Sequence, residues 1–152
     1  MTRSDTAVSQ NSAPPSLSDI DAIARATLTD LPEPFPQFTR GVVLQVVEFP
    51  DEDVCEEMQL ESPFDILGLY QGVALDQKLT ESSGALPDMV FLYRRPILDY
   101  WCETGEDLGH VVRHVLIHEI GHHFGLSDAD MEAIEAEAER DEAQAALISA
   151  ST

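Results

Sequence analysis

Hydrophobic residues recur along residues 107–124 at the three- and four-residue spacings of an α-helix. They cover two sides of it: Leu108, Val111, Val112, Val115 and Leu116 on one, and Ile117, Ile120 and Phe124 on the other. A helix that is apolar nearly all round must be buried nearly all round. We therefore expect this helix to lie between a sheet and a further helix, and to end at Gly125, where a left-handed backbone is readily adopted.

Three stretches rich in β-branched and aromatic residues predict the strands of that sheet. Residues 41–49 are apolar almost without interruption, which predicts an inner strand covered on both faces. Residues 64–75 predict one strand, or two short ones, with a tight bend at one of their glycines. Residues 88–95 predict the last strand, which Pro96 should stop, and the polar residues 76–87 between them predict a loop.

Helices are predicted on both sides of the strand region. Residues 17–28 carry apolar side chains at helical spacing, and the three prolines within residues 31–36 should force an extended connection after them. Residues 51–61 hold six acids and predict a solvated loop or a weak helical turn. Residues 129–148 are dense in Ala and Glu and predict a final helix. The fold class expected from this order is α+β.

The chain of 152 residues is long enough for one domain with a hydrophobic core. Residues 1–15 are polar and predict a disordered tail, which leaves residues 16–148 as a single domain. The tail has no apolar signal region, and no stretch is long enough to cross a bilayer. Cys55 and Cys102 lack the spacing of a metal or redox motif, so free thiols in the cytoplasm are expected, unless the fold brings the two together.

The charge of the chain is strongly negative, with 29 acidic residues against 8 Lys and Arg and a formal net charge of −21. Nucleic acids and anionic membranes attract Lys and Arg clusters, so neither is expected as a partner. Solubility, or a saline or acid-tolerant habitat, is the simpler explanation of the acidity. Attraction of basic peptide substrates is the alternative.

A candidate metal site lies near the end of the central helix. His118 and His122 are four residues apart, so they are about 40° apart around the helix axis and can face one ion. Glu119 lies beside them, where it can take the proton of a zinc-activated water. After the turn at Gly125 the chain can return and supply Asp128 as a third ligand. Two imidazoles and one carboxylate would leave tetrahedral Zn²⁺ one open position, as catalytic sites require.

Asp128 also has a purely structural interpretation. It stands immediately before the final helix, and Asp is a preferred N-cap residue. Ser127 is the other residue that could begin this helix. If Asp128 only caps the helix, Asp130 or Glu132 could replace it as a ligand.

The remaining histidines are weaker candidates. His110 is roughly 120° around the helix from His122 and cannot join the same site. His114 could support the metal ligands from behind, although simple packing is the preferred interpretation. His123 points about 100° away from His122 and is poorly placed as a ligand.

Tyrosines and arginines offer further candidate groups for catalysis. Tyr70, Tyr93 and Tyr100 could stabilise an oxyanion, but core packing is the preferred interpretation of each. Arg94 and Arg95 could bind a substrate carboxylate, but in so acidic a chain they more often pair with nearby acids.

Three segments in this order resemble the small bacterial zincin-like metallopeptidases, also called minimal zincins: residues 67–72, 87–96 and 113–128. The resemblance extends over about residues 17–135. It implies a minimal zincin-like α+β fold, in which a mixed or antiparallel sheet of about three to four strands packs on the active-site helix. It also implies Zn²⁺ bound by His118, His122 and Asp128, with Glu119 as the base. The chain departs from the metzincin pattern in having Asp as third ligand and no Met-turn.

These observations predict a hydrolase, a zinc-dependent metallopeptidase that cleaves a peptide or protein substrate with Glu119 as general base. The alternative is a zinc-stabilised binding or regulatory domain without catalysis, which the shortness of the chain favours. The presence of Glu119 favours the enzyme, because a structural zinc does not need a base. Hydrolysis of a non-peptide amide would use the same residues. The sequence does not indicate substrate specificity or oligomeric state.

Overall fold

Three strands form one mixed sheet in the computed structural model, which describes residues 13–72 and 87–151. The strands are β1 (Val43–Val47), β2 (Gly68–Gln71) and β3 (Met89–Tyr93). The order across the sheet is β1-β3-β2, with β3 parallel to β1 and antiparallel to β2. The predicted α+β class with a small sheet is confirmed.

Six helices surround the sheet in the described residues. They are α1 (Leu17–Asp30), α2 (Phe35–Phe38), α3 (Glu52–Glu57), α4 (Arg94–Thr104), α5 (Leu108–His123) and α6 (Asp128–Ser151). A reciprocal pair of hydrogen bonds between Ser16 and Asp19 caps α1. The Asp51 side chain caps α3, so the helical-turn interpretation of the acidic segment was right.

The central helix α5 contacts the sheet, α1, α4 and α6. Its buried residues are Val111, Val112, Val115, Leu116, Ile117, Ile120 and Gly121. The Asp107 side chain accepts the N–H of His110 at the start of the helix, and Gly125 ends it with a φ of 83°. A side chain at Gly121 would meet the buried Met131 of α6, so this glycine lets the two helices approach closely. The predicted burial and both ends of α5 are confirmed, except that Phe124 at its end is 39% exposed.

The prediction that β1 is an inner strand was wrong. β1 is an edge strand, and its Val43 is 42% exposed. β3 occupies the centre because it pairs on both of its edges. An apolar run shows that a strand is hydrophobic, but it does not show which neighbours the strand will have.

Two connections also differ from prediction. Pro96 does not stop β3; the strand ends at Tyr93, and Pro96 lies buried in the first turn of α4. This is possible because backbone N–H groups in a helix's first turn have no acceptor within the helix, so proline sacrifices no hydrogen bond there. The expected extended connection contains the short helix α2, which has Pro36 in its first turn for the same reason.

Some predictions fall outside the described residues. These are the tail up to residue 12, the last three residues (73–75) of the glycine-rich segment, and the loop of residues 76–86. Cys55 is half-buried and Cys102 is exposed, and both are free thiols. None of the described helices combines the length and the hydrophobicity needed to cross a bilayer.

Candidate metal centre

His118, His122 and Asp128 lie together at the junction of α5 and α6. One potential ligand atom from each residue lies within 4.8 Å of the other two. His122 Nε2 is 3.4 Å from Asp128 Oδ1. In a tetrahedral zinc site with bonds of about 2.0–2.1 Å, ligand atoms are about 3.3 Å apart. The structure therefore brings together the three residues that the sequence proposed as ligands, and the His122–Asp128 pair has close to the spacing that one ion requires.

The imidazole of His118 fits a metal ligand on independent grounds. Its Nε2 atom is buried and has no hydrogen-bond partner among the described residues. Such an atom is costly unless something else occupies its lone pair. Burial, and then the charge of His114, lower the pKa of His118 below its usual value. A lowered pKa keeps the ring neutral, which is the form that binds a metal ion.

Ser127, rather than Asp128, caps α6. The Ser127 hydroxyl accepts the N–H of Asp130 at 3.1 Å, and the Asp130 carboxylate accepts the N–H of Ser127 at 3.2 Å. The Asp128 side chain is 84% exposed and approaches His122. The capping interpretation of Asp128 is therefore unsupported, and its proposed substitute Asp130 is already engaged. Glu132, the other substitute, belongs to neither group of possible ligands in the described residues.

Glu119 is half-buried between α5 and β2. A hydrogen bond from the backbone N–H of Tyr70 in β2 also acts on its carboxylate. Burial raises the pKa of Glu119 above its usual value, and this hydrogen bond and the nearby His122 oppose the rise without cancelling it. A carboxylate with a raised pKa is a better base near neutral pH.

A cavity of about 330 Å³ lies beside these groups. His118 and Glu119 both line it. The other walls come from three elements: residues 65–68 before and at the start of β2, Tyr100 of α4, and Val111, His114 and Val115 of α5. The candidate base and one candidate ligand thus share an open space that is large enough for part of a substrate.

A comparison with known protein families agrees with this geometry. Residues 39–138 match the model of the zincin-like metallopeptidases. The chain belongs to this family. Membership implies a metal ion, typically zinc, and supports a peptidase kind of function. No curated protein matches the chain.

In this member of the zincin-like family the tyrosines occupy different positions. Tyr93 is 2% exposed, and burial, followed by the charge of Asp51, raises its pKa to about 12. The Tyr70 hydroxyl donates to Asp88 at 2.8 Å, and its ring stacks on His123 with 3.9 Å between centroids. Tyr100 is exposed at the wall of the cavity. Tyr93 has the core position that the sequence favoured, and Tyr70 is held in a polar network.

The two arginines have local partners. Arg94 donates to Glu48 at 2.9 Å and to the Pro15 carbonyl at 2.7 Å, which ties the start of the described chain to the end of β3. Arg95 lies over the ring of Phe49, with 5.5 Å from its guanidinium carbon to the ring centroid. The structure thus gives Arg94 the acidic partner that the sequence suggested, and it places Arg95 on an aromatic ring.

Sequence reasoning missed Glu135, and it favoured packing for His114. His114 Nδ1 lies 2.6 Å from Glu135 Oε1, and His118 Nε2 lies 3.7 Å from the same oxygen. Glu135 follows Asp128 by seven residues, which is close to two helical turns, so the two acids lie on one side of α6. That spacing was visible in the sequence. The sequence did not show that α6 packs against α5, and it is this packing that places Glu135 beside the histidines.

Proposed function

We propose that this chain is a zinc-dependent peptidase in which His118, His122 and Asp128 hold the ion and Glu119 is the general base. The observation that carries the proposal is the shared cavity, because Glu119 and His118, whose buried Nε2 has no hydrogen-bond partner among the described residues, line the same open space. A zinc site with a purely structural role needs neither a base nor access for a substrate.

Each residue has a definite task in this proposal. Zn²⁺, when bound, would polarise the scissile carbonyl and lower the pKa of water towards about 7. Glu119 accepts the proton of the attacking water and returns it to the leaving amine. The Tyr70 N–H holds the carboxylate in place for both transfers. The raised pKa of Glu119 suits a group that must first accept and then release a proton.

An extended peptide is the substrate class that the surroundings favour. β2 lies at one edge of the sheet and supplies the amide that holds Glu119. Extended peptides commonly add to such an edge through main-chain hydrogen bonds. Ile66, Leu67, Val111 and Val115 line the adjoining cavity, which therefore suits an apolar side chain of the substrate.

The deciding experiment compares the wild type with Glu119→Gln on a library of unstructured peptides. Gln keeps the size of the side chain but cannot act as a base. We expect cleavage to fall at least about a hundredfold, with zinc content and melting temperature close to those of the wild type. Glu132→Gln is the control, since this acid is exposed on α6 and should not affect cleavage.

Three other results would change the conclusion. Unchanged cleavage by the Gln variant would point to another base or to a contaminating protease. Loss of zinc together with activity would make Glu119 a ligand. A wild type that binds zinc but shows no zinc-dependent cleavage would favour the binding or regulatory domain.

A further inference from the structure

Glu135 of α6 lies opposite two histidines of α5. Its Oε1 atom is 2.6 Å from His114 Nδ1 and 3.7 Å from His118 Nε2. One potential ligand atom from each of these three residues lies within 4.8 Å of the other two. This is the same kind of grouping as His118, His122 and Asp128, displaced by one turn along α5. His118 belongs to both groups.

We propose that His114, His118 and Glu135 form a second transition-metal site that overlaps the first. The inference rests on the proposed function in one respect, because the two sites share His118. Its donors, two imidazoles and one carboxylate, suit Zn²⁺ and the neighbouring divalent ions of the first transition row.

The distances are compatible with an ion at this position. The separation of 3.7 Å between His118 and Glu135 is close to the roughly 3.3 Å between ligand atoms around tetrahedral zinc. His114 and Glu135 are now at hydrogen-bond distance and would have to separate by roughly 0.7 Å. The ion would take the place of the proton between His114 Nδ1 and Glu135, and the neutral imidazole would carry its one proton on Nε2 instead. The His114 side chain is 56% exposed, so the ion has a direct way in.

The two sites exclude each other because they compete for one atom. Nε2 is the His118 atom near Glu135, and it is also the buried nitrogen without a partner. A neutral imidazole offers one unprotonated nitrogen, so His118 can serve one ion at a time. Either group without His118 retains only two donors. The chain should therefore bind one ion tightly, and an ion held by His114 and Glu135 takes His118 away from the catalytic set.

The test uses a variant that lacks the first group, His122→Ala/Asp128→Ala. These side chains are 57% and 84% exposed, so their removal should leave the fold intact. Zn²⁺ itself is the probe, titrated in competition with a chromogenic chelator. Addition of Glu135→Gln to this background removes the third donor. Addition of Glu142→Gln is the matched control, because Glu142 also pairs with a histidine of α5, His110, but belongs to neither group of possible ligands.

We expect the double variant to bind about one Zn²⁺ per chain. Glu135→Gln should weaken that binding by at least about tenfold, the lower end of what even indirect partners of metal ligands contribute. Glu142→Gln should leave it unchanged. Equal zinc affinity with and without Glu135→Gln would overturn the second site and identify His114–Glu135 as an ordinary ion pair. Two tightly bound ions in the wild type would overturn mutual exclusion.

A single substitution in the first group provides the same test if the double variant fails to fold. Asp128→Asn weakens the first group and leaves the second complete, so Glu135→Gln should lower zinc affinity there as well. No change in that background would overturn the proposal. Failure of the proposed function gives a different result, since the wild type would then bind no zinc, or would bind zinc without cleaving peptides.

Discussion

Ser127 and Asp130 each satisfy a backbone N–H of the other at the start of α6, at 3.1 and 3.2 Å. Ser127 and Asp130, which flank Asp128 and Ala129 in the chain, thus form the cap with each other. Asp128 is left without a capping role, and its carboxylate lies 3.4 Å from His122 Nε2. A residue that could have been explained by helix capping is thereby available to bind a metal ion.

Different mutations at this junction should therefore affect helix capping and metal binding independently. Ser127→Ala removes the cap and should lower the free energy of unfolding by about 1 kcal/mol, with little effect on zinc affinity. Asp128→Asn should do the reverse, weakening zinc binding while the metal-free protein stays as stable as before. Thermal unfolding with chelator and zinc titration measure the two effects. Loss of stability in metal-free Asp128→Asn, with full zinc affinity, would restore the capping interpretation.

Zinc removal should destabilise the protein. An ion that binds only the folded state adds about 2.7 kcal/mol when its free concentration is a hundred times the dissociation constant. We expect the melting temperature to fall on addition of a chelator and to recover with zinc. His118→Ala should abolish most of this shift, because His118 belongs to both groups of possible ligands, whereas His122→Ala should leave the part that comes from His114, His118 and Glu135. His110→Ala should keep it, because His110 lies on the same helix but pairs with Glu142. Equal shifts in His118→Ala and His110→Ala would place the ion elsewhere.

Gly68 should not tolerate a side chain. A Cβ atom there would lie 2.7 Å from Val115 Cγ1 and 2.9 Å from the Phe91 carbonyl oxygen. Gly68→Ala should therefore lower the free energy of unfolding by about 1–3 kcal/mol, as overpacking typically does. Val115→Ala in the same chain should remove one of the two clashes, so urea denaturation of both single variants and the double should show favourable coupling. Strictly additive effects would mean that the Phe91 carbonyl alone limits the position.

The hydrogen bonds of Glu142 with Arg113 and His110 should make the free energy of unfolding depend on pH. Hydrogen bonds from Arg113 first, and then from His110, lower the pKa of Glu142 below its ordinary 4.5. A lowered folded-state pKa stabilises the protein above the unfolded pKa, and this contribution disappears as the pH falls through the folded value. The stability difference between wild type and Glu142→Gln should thus be constant near neutral pH and shrink below about pH 4.5. Urea titrations at several pH values measure it, and a difference that grew on acidification would contradict the assignment.

The central helix shows what local sequence can specify. Backbone geometry fixes the angle between residues four apart, so His118 and His122 share one side of α5 in any fold that keeps the helix. The apolar residues around α5 likewise required it to be buried, and Gly125 marked its end. For these features the sequence needed no information about neighbouring elements.

Strand position and helix starts were less predictable. An apolar run made β1 a strand but could not decide between edge and centre, because the order of strands depends on pairing between distant segments. Pro96 was expected to stop β3, although proline fits equally well in the first turn of α4. Both errors came from features that have two permitted structural outcomes.

The sequence by itself therefore determined the helix that carries His118, Glu119 and His122, and the family resemblance that goes with it. The tertiary structure decided everything that depends on the approach of another element: the cavity beside Glu119, the amide of Tyr70 on its carboxylate, and Glu135 between His114 and His118. The physical reason is that spacing within a helix is set by hydrogen bonds between near neighbours in the chain. Distances between helices and strands are set by the packing of all the side chains between them.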